Sequence, residues 1–161
     1  MPNNKNTIVF DIGSSGQSLV FTNHVVAHLC QHRQRRWFKT EAGGQLFARI
    51  DESRVIVEAA TGPRRSDWRT RFGYVPDRSA EQAEILDFYA RNLHYIGDWH
   101  THPERLPTPS AVDLNSIAEC VTKSKHQLAA FVHVVVGQAE APLGWCVLVH
   151  DGKTSYRLKA R

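Results

Sequence analysis

The chain has 161 residues, a formal charge of +4, 42% hydrophobic and 22% charged residues, a balance suited to one folded domain with a real core. Its apolar runs fall short of the roughly 18 residues of a membrane span, and Met1–Asn6 leads into no secretory apolar core. Cys30, Cys120 and Cys146 are too few and too scattered for a disulfide framework or a Cys-x-x-Cys site, so a reducing compartment, the cytoplasm, is expected.

In chain order, Thr7–Ile12 and Ser18–Phe21 read as short strands around the turn Gly13–Gly16, which lacks the Gly-Lys-Ser/Thr ending of a phosphate loop. Thr22 is a fair N-cap for a helix from about Asn23 to Arg36. Its apolar face carries Val25, Val26, Leu29 and Cys30, while His24, His28 and His32 repeat along one side and are expected to form a solvated edge. Gly43–Ile50 and Val55–Ala60 form a hairpin around Asp51-Glu52-Ser53. Thr61–Asp77 is a long, arginine-rich loop. Ser79 can cap a helix to about Asn92, with Ala83, Leu86, Phe88 and Ala90 partly buried. Tyr95–Trp99 is a strand, Asp113–Lys123 a helix, and Leu128–Val136, Trp145–Val149 and Thr154–Leu158 are closing strands. His133 and His150 read as structural. The order predicts one α/β domain over 1–161, with helices on a largely antiparallel mixed sheet.

Chemistry concentrates in His100-Thr101-His102, followed after seven residues by Ser110-Ala111-Val112-Asp113. Alternate side chains of an extended segment share a face, so His100 and His102 can point to one metal ion. A proline-rich turn feeding a helix can bring Asp113 from another direction, leaving one open position as in catalytic zinc sites. Taken singly, Ser110 and Asp113 could be a capping box, Thr108-Pro109 a second cap, and the histidines polar residues at a strand end. Together they favour metal. No His-Glu-x-x-His or Pro-Cys-x-x-Cys occurs, which removes the helical zincins and the zinc deaminases.

At His100, His102, Ser110 and Asp113 the chain resembles the JAMM (JAB, MPN-plus) metalloproteases, and the order of elements follows that family through most of the domain. The resemblance implies a single JAB/MPN domain of cytidine-deaminase-like fold and one zinc ion held by His100, His102 and Asp113. It implies Ser110 as the oxyanion donor and an upstream glutamate that handles the catalytic water. By position that glutamate is Glu41, in Thr40-Glu41-Ala42-Gly43-Gly44. Glu58 is the runner-up, and Glu52, Glu81 and Glu84 are poorer placed.

Gly97-Asp98-Trp99-His100-Thr101-His102-Pro103-Glu104 looks like the bacterial JAB proteins that accompany E1- and E2-like proteins, including deconjugases of CBASS antiphage systems. Asp98 stands where a glutamate is commoner. The resemblance implies a substrate that ends in the C-terminal tail of a ubiquitin-like modifier or a CD-NTase, with E1/E2-like proteins as partners. Between Arg64 and Arg78, five arginines interleave with Trp68, Phe72 and Tyr74, a mixture that could grip such a tail. The same mixture could bind single-stranded nucleic acid, though neither nucleic acid nor membrane is the expected partner. A RadC-like protein or a silent MPN scaffold is the alternative.

Overall fold

The computed structural model describes residues 6–161. Met1–Lys5, which hold most of the leading segment and the first residues of the expected domain, lie outside the described residues.

The elements are β1 (Ile8–Asp11), β2 (Ser18–Phe21), α1 (Asn23–Gln31), β3 (Gly43–Ile50), β4 (Arg54–Ala60), β5 (Trp68–Arg69), β6 (Tyr74–Val75), α2 (Arg78–Ala90), β7 (His94–Thr101), α3 (Ala111–Lys123), β8 (Phe131–Val136), β9 (Trp145–His150), β10 (Ser155–Arg157) and β11 (Lys159–Ala160). Among the described residues, nine strands form one sheet in the order β10-β9-β8-β7-β3-β4-β2-β1-β11. Only β2/β4 and β7/β8 of its pairs are parallel, so the sheet is mixed and largely antiparallel, as expected. α1 covers one face through Val25 and Leu29, in the main core with Phe21, Leu46, Trp99 and Trp145. α3 covers part of the other through Ile117 and Val121, against Phe131 and Tyr95.

β7 lies inside the sheet between β8 and β3, and a bulge sets which of its side chains face which layer. Leu46 pairs with Gly97 and Phe47 with Tyr95, so Ile96 is an extra residue. Tyr95 and Asp98 therefore share the α3 face, while Ile96 and Trp99 enter the main core. Gly97 sits at φ +145°, and a Cβ there would lie 1.7 Å from the Val132 carbonyl oxygen. Only glycine allows β8 so close. Alternation from Asp98 onward sends His100 to the same face and buries Thr101 on the opposite one.

Several elements differ from the sequence expectation. α1 stops at Gln31 rather than Arg36. Nothing in Gln31–Arg36 forbids a helix by propensity, but Gln34 turns inward, is fully buried, and ties four segments together. Its amide nitrogen donates to the Lys39 and Arg71 carbonyls at 3.2 and 2.8 Å, its Oε1 accepts from Thr101 at 2.9 Å, and its carbonyl accepts from Gln138 at 2.8 Å. The histidine stripe is less solvated than expected. His28 and His32 are half-buried, each with its ring 5.6 Å from that of Trp99.

α2 is capped by Asp77, whose side chain accepts from Ser79 and Ala80 N–H groups, not by Ser79. Its apolar expectation is largely inverted: Ala83, Leu86 and Ala90 are exposed, and only Phe88 packs inward, stacked on Phe47 at 4.1 Å. The inner face carries Glu81 and Glu84: Glu84 neutralises the buried Arg64, and Glu81 is reached by the exposed Arg78. Last, β11 lies beyond the expected strands and pairs with β1.

Candidate metal centre

β7, β8 and α3 build the site. The His102 N–H donates to the Val136 carbonyl at 3.0 Å, extending the pairing with β8 one residue past β7. Thr101 anchors the other face: its hydroxyl accepts from the Ala42 N–H at 2.9 Å and donates to Gln34. With Thr101 held, His100 and His102 project together. Their Nε2 atoms lie 2.9 Å apart.

Asp113 arrives from α3. Ser110 is the N-cap, accepting from the Asp113 N–H at 3.1 Å, while Asp113 Oδ2 accepts from the Ser110 N–H at 2.7 Å. This is a full capping box, so the local reading of Ser110-x-x-Asp113 holds and the alternative cap at Thr108 is not used. It does not compete with a metal role. The box fixes the Asp113 carboxylate so that Oδ2 stands 3.3 Å from both His100 Nε2 and His102 Nε2.

These three residues are a group able to hold a metal ion among the described residues. Bonds of about 2.0–2.1 Å in a tetrahedron imply ligand–ligand edges of roughly 3.3 Å. Two observed edges are 3.3 Å and the third is 2.9 Å, so the donor triangle has the size of one face of such a tetrahedron. Electrostatics agree. Burial pushes the Asp113 carboxyl up, but hydrogen bonds from His100 and His102 hold it far below the usual carboxylate range. Burial works to lower the His102 imidazole, and Asp113 outweighs it and raises it. Electron-pair donors converge here and attract protons in place of a cation.

Glu41 lies at the entry to β3, only 7% exposed. Its N–H donates to the Thr70 carbonyl at 2.7 Å and its carbonyl accepts from Arg69 Nε at 2.6 Å. Burial raises its carboxyl to about 7, against the lowering influence of His102 and with a further push from Asp113. The glycines that follow let the chain pass closely. A Cβ on Gly44 would lie 1.7 Å from the Thr61 carbonyl oxygen, so the end of β4 closes on β3 only because Gly44 has none. Glu58, the runner-up, is bound to Arg49 at 3.0 and 3.2 Å and does not line the cleft.

A cleft of about 690 Å³ joins Glu41, His100, His102, Ser110 and Asp113. All the site residues expected from sequence therefore meet in one cavity. The Arg64–Arg78 loop forms part of its wall, mostly through its aromatics. Arg64 is held by Glu84 and Asp67, Arg69 by the Glu41 carbonyl, and Arg71 by the Arg36 and Trp37 carbonyls, while Arg65 is exposed away from the cleft. The loop presents Trp68, Phe72, Tyr74, Val75 and Pro76 to the cleft, and of its arginines Arg78 alone, which pairs with Glu81.

Two inner residues were not legible as site residues. His133 lines the cleft with its ring 4.9 Å from His100, and neither ring nitrogen has a partner. Burial, then His100, lowers its imidazole to about 3. A lone histidine on an apolar strand carries no sequence signal for this. Asp98 accepts from the Tyr95 hydroxyl at 3.0 Å, and burial beside Glu81 raises its carboxyl to about 7. His150, by contrast, is structural as expected, its Nδ1 accepting from the Gly152 N–H at 2.9 Å.

A mixed sheet carrying a His-x-His strand and a capping-box aspartate on one cleft defines a metal-site α/β domain of the JAB type. Residues 22–158 match the family described as prokaryotic homologs of the JAB domain, and the chain belongs to that family. It is 31% identical over 116 residues to a CD-NTase/cGAS isopeptidase of Escherichia coli (strain TW11681), covering 70% of this chain and 74% of that one. A CD-NTase/cGAS isopeptidase of Vibrio cholerae is 28% identical over 129 residues, 78% of this chain and 80% of the relative. A Sinorhizobium fredii protein named "Probable metalloprotease y4qB" is 40% identical over 72 residues, 42% of this chain and 44% of that one. The solution structure of protein DSY2949 from Desulfitobacterium hafniense shares the fold at a TM-score of 0.61 and 18% identity, covering 85% of this chain and 87% of that one.

Proposed function

We propose that this chain is a zinc-dependent isopeptidase that releases the C-terminal tail of a CD-NTase or a ubiquitin-like modifier from its conjugates. We place it in the cytoplasm, in CBASS-type antiphage signalling beside E1- and E2-like proteins. The observation that carries the reading is the donor triangle of His100, His102 and Asp113, in one cleft with the buried Glu41. Relatives named CD-NTase/cGAS isopeptidase support the substrate class. Among the described residues no helix is long and apolar enough to cross a membrane.

His100, His102 and Asp113 would hold the zinc, which would supply a Lewis acid for the scissile carbonyl and lower the pKa of a bound water toward about 7. Glu41, poised near neutrality by burial, takes the proton of the attacking water and returns it to the leaving amine of the lysine. Ser110 Oγ accepts one hydrogen bond within the capping box and keeps its own proton to donate to the oxyanion. The aromatic wall Trp68, Phe72 and Tyr74 receives an extended tail and keeps bulk water from the reacting carbonyl. The silent-scaffold alternative is disfavoured, because such a protein needs neither the convergent triangle nor a carboxylate raised beside it.

A substrate trap tests this reading. Glu41→Ala expressed in the native host should retain conjugates, and zinc-loaded wild type should release from them a tail with a free carboxylate and an unmodified lysine, followed by mass spectrometry of branched peptides. Trapped material that wild type leaves intact would sink the isopeptidase assignment.

A further inference from the structure

Outside the cleft, Gln31–Thr40 contains five cationic or aromatic residues in succession, Arg35-Arg36-Trp37-Phe38-Lys39, and no acidic residue. In the structure Trp37 is 81% exposed and Phe38 60%, with the two rings edge-on at 5.9 Å. A hydrophobic pair left in water on a well-tied loop is a feature of binding surfaces rather than of packing. Beside it lies a basic hollow of about 600 Å³ lined by Cys30, Gln31, Arg33, Arg35, Arg36 and Lys39. Arg33 is engaged by Glu140 at 2.9 Å, which leaves Arg35, Arg36 and Lys39 to set the sign of the hollow.

This patch is continuous with the cleft. Arg71 donates to the Arg36 and Trp37 carbonyls at 3.1 and 2.6 Å, and its guanidinium lies 5.5 Å from the Phe72 ring centroid. Phe72, 77% exposed, lines the cleft, as does Trp68. One arginine thus rivets the 35–39 loop to the cleft wall. Gln34 adds a second tie through the Arg71 carbonyl.

We propose that the 35–39 loop and Phe72 form a docking platform for the folded body of the protein whose tail enters the cleft, and that this body meets it with an acidic face holding an apolar centre. The inference rests on the isopeptidase reading for the identity of the tail. Continuity argues for one occupant of both surfaces: a chain emerging past Phe72 meets Trp37 and the cations next. The charge selects an acidic partner, because Arg35, Arg36 and Lys39 would repel a basic one. Exposed aromatics among arginines suit a central anchor with a charged rim. Single-stranded nucleic acid shares part of this chemistry, but it does not account for an aromatic surface continuous with a peptide-sized cleft.

The test compares two substrates: a folded CD-NTase joined through its C-terminus to a lysine, and a short branched peptide with the same tail. Trp37→Ala and Arg35→Glu/Arg36→Glu should each raise KM for the folded conjugate by about tenfold or more and leave the peptide unchanged. Added salt should raise the wild-type KM for the conjugate and not for the peptide. Equal losses on both substrates, or none, would overturn the platform. If zinc-loaded wild type cuts neither substrate, the isopeptidase reading has failed. The platform is then judged by fluorescence anisotropy of the labelled conjugate, where loss of binding in the variants upholds it and unchanged binding overturns it. Binding of a labelled oligo(dT) that the variants abolish, with the conjugate KM unchanged, assigns the surface to nucleic acid and also overturns it.

Discussion

Glu41 and Asp113 are both carboxylates on one cleft, yet their surroundings move them in opposite directions, and that divergence separates their roles. Asp113 faces two imidazoles and is held anionic. Glu41 is desolvated and held near neutrality. Glu41→Gln should bind zinc as wild type does and lose about 10²–10⁴ in kcat, as removal of a general base does; metal content by elemental mass spectrometry beside turnover checks it. Metal lost from that variant would place Glu41 among the ligands. Asp113→Ala should instead lower the metal content itself.

Asp98 gives a separate residue-scale prediction. Its carboxyl is raised to about 7 by burial and by Glu81, so the native state keeps a proton that the unfolded chain sheds near its ordinary value. The resulting stability is full below the unfolded value and is lost as pH rises toward 7. Metal-free Asp98→Asn should therefore lose less stability than wild type between pH 5 and pH 8, read from denaturant midpoints. His133 acts in the opposite sense but is common to both proteins, so their difference isolates Asp98. Equal slopes would remove Asp98 as a strained carboxyl.

At the scale of elements, α3 and β7 matter through their first and last turns. The motif was legible because its spacing obeys local rules: alternation aligns His100 with His102, and a capping box turns Asp113 back toward them. Ser110 has both a capping and a catalytic claim, and the two can be separated. Ser110→Ala should cost about 1 kcal/mol of stability through the lost cap, and kcat should fall about 10²–10³ if the hydroxyl also serves the oxyanion. Ser110→Gly keeps most of the capping stability and has no side-chain donor, so near-normal stability with kcat still depressed supports the catalytic role. Full recovery of kcat would reduce Ser110 to a cap.

α2 and the end of α1 were not legible, for a physical reason. Periodicity places apolar residues inward, but α2 turns Glu84 inward to the buried Arg64, and Glu81 beside it pairs with Arg78. Those arginines come from the loop before the helix and from its first residue, and no local pattern reports the pairing. The bulge at Ile96 is similarly hidden, since it depends on register with β3.

For the molecule as a whole, the cleft is held from behind. Gln34 joins the segment after α1 to Lys39, Arg71 and Thr101 through its side-chain amide and to Gln138 through its backbone carbonyl, so the loop carrying Phe72, the strand carrying the histidines and the β8–β9 connection meet at one buried residue. Gln34→Ala should destabilise the protein by roughly 2–4 kcal/mol, since it strands several buried polar groups at once. Thermal unfolding of the metal-free protein measures this, and a change under about 0.5 kcal/mol, the size of an ordinary surface substitution, would deny Gln34 that role. The sequence offered Gln34 only as one polar residue in a polar run, because three of its four connections join segments distant in the chain.

The measurement that bears most directly on the zinc isopeptidase account is mass spectrometry of a branched peptide, a CD-NTase tail joined to a lysine side chain. It is incubated with metal-free protein and with the same protein reloaded with zinc. The account predicts a free tail carboxylate and an unmodified lysine only in the zinc-loaded sample. Cleavage at the same rate without metal, or an intact branched peptide in both samples, would contradict it.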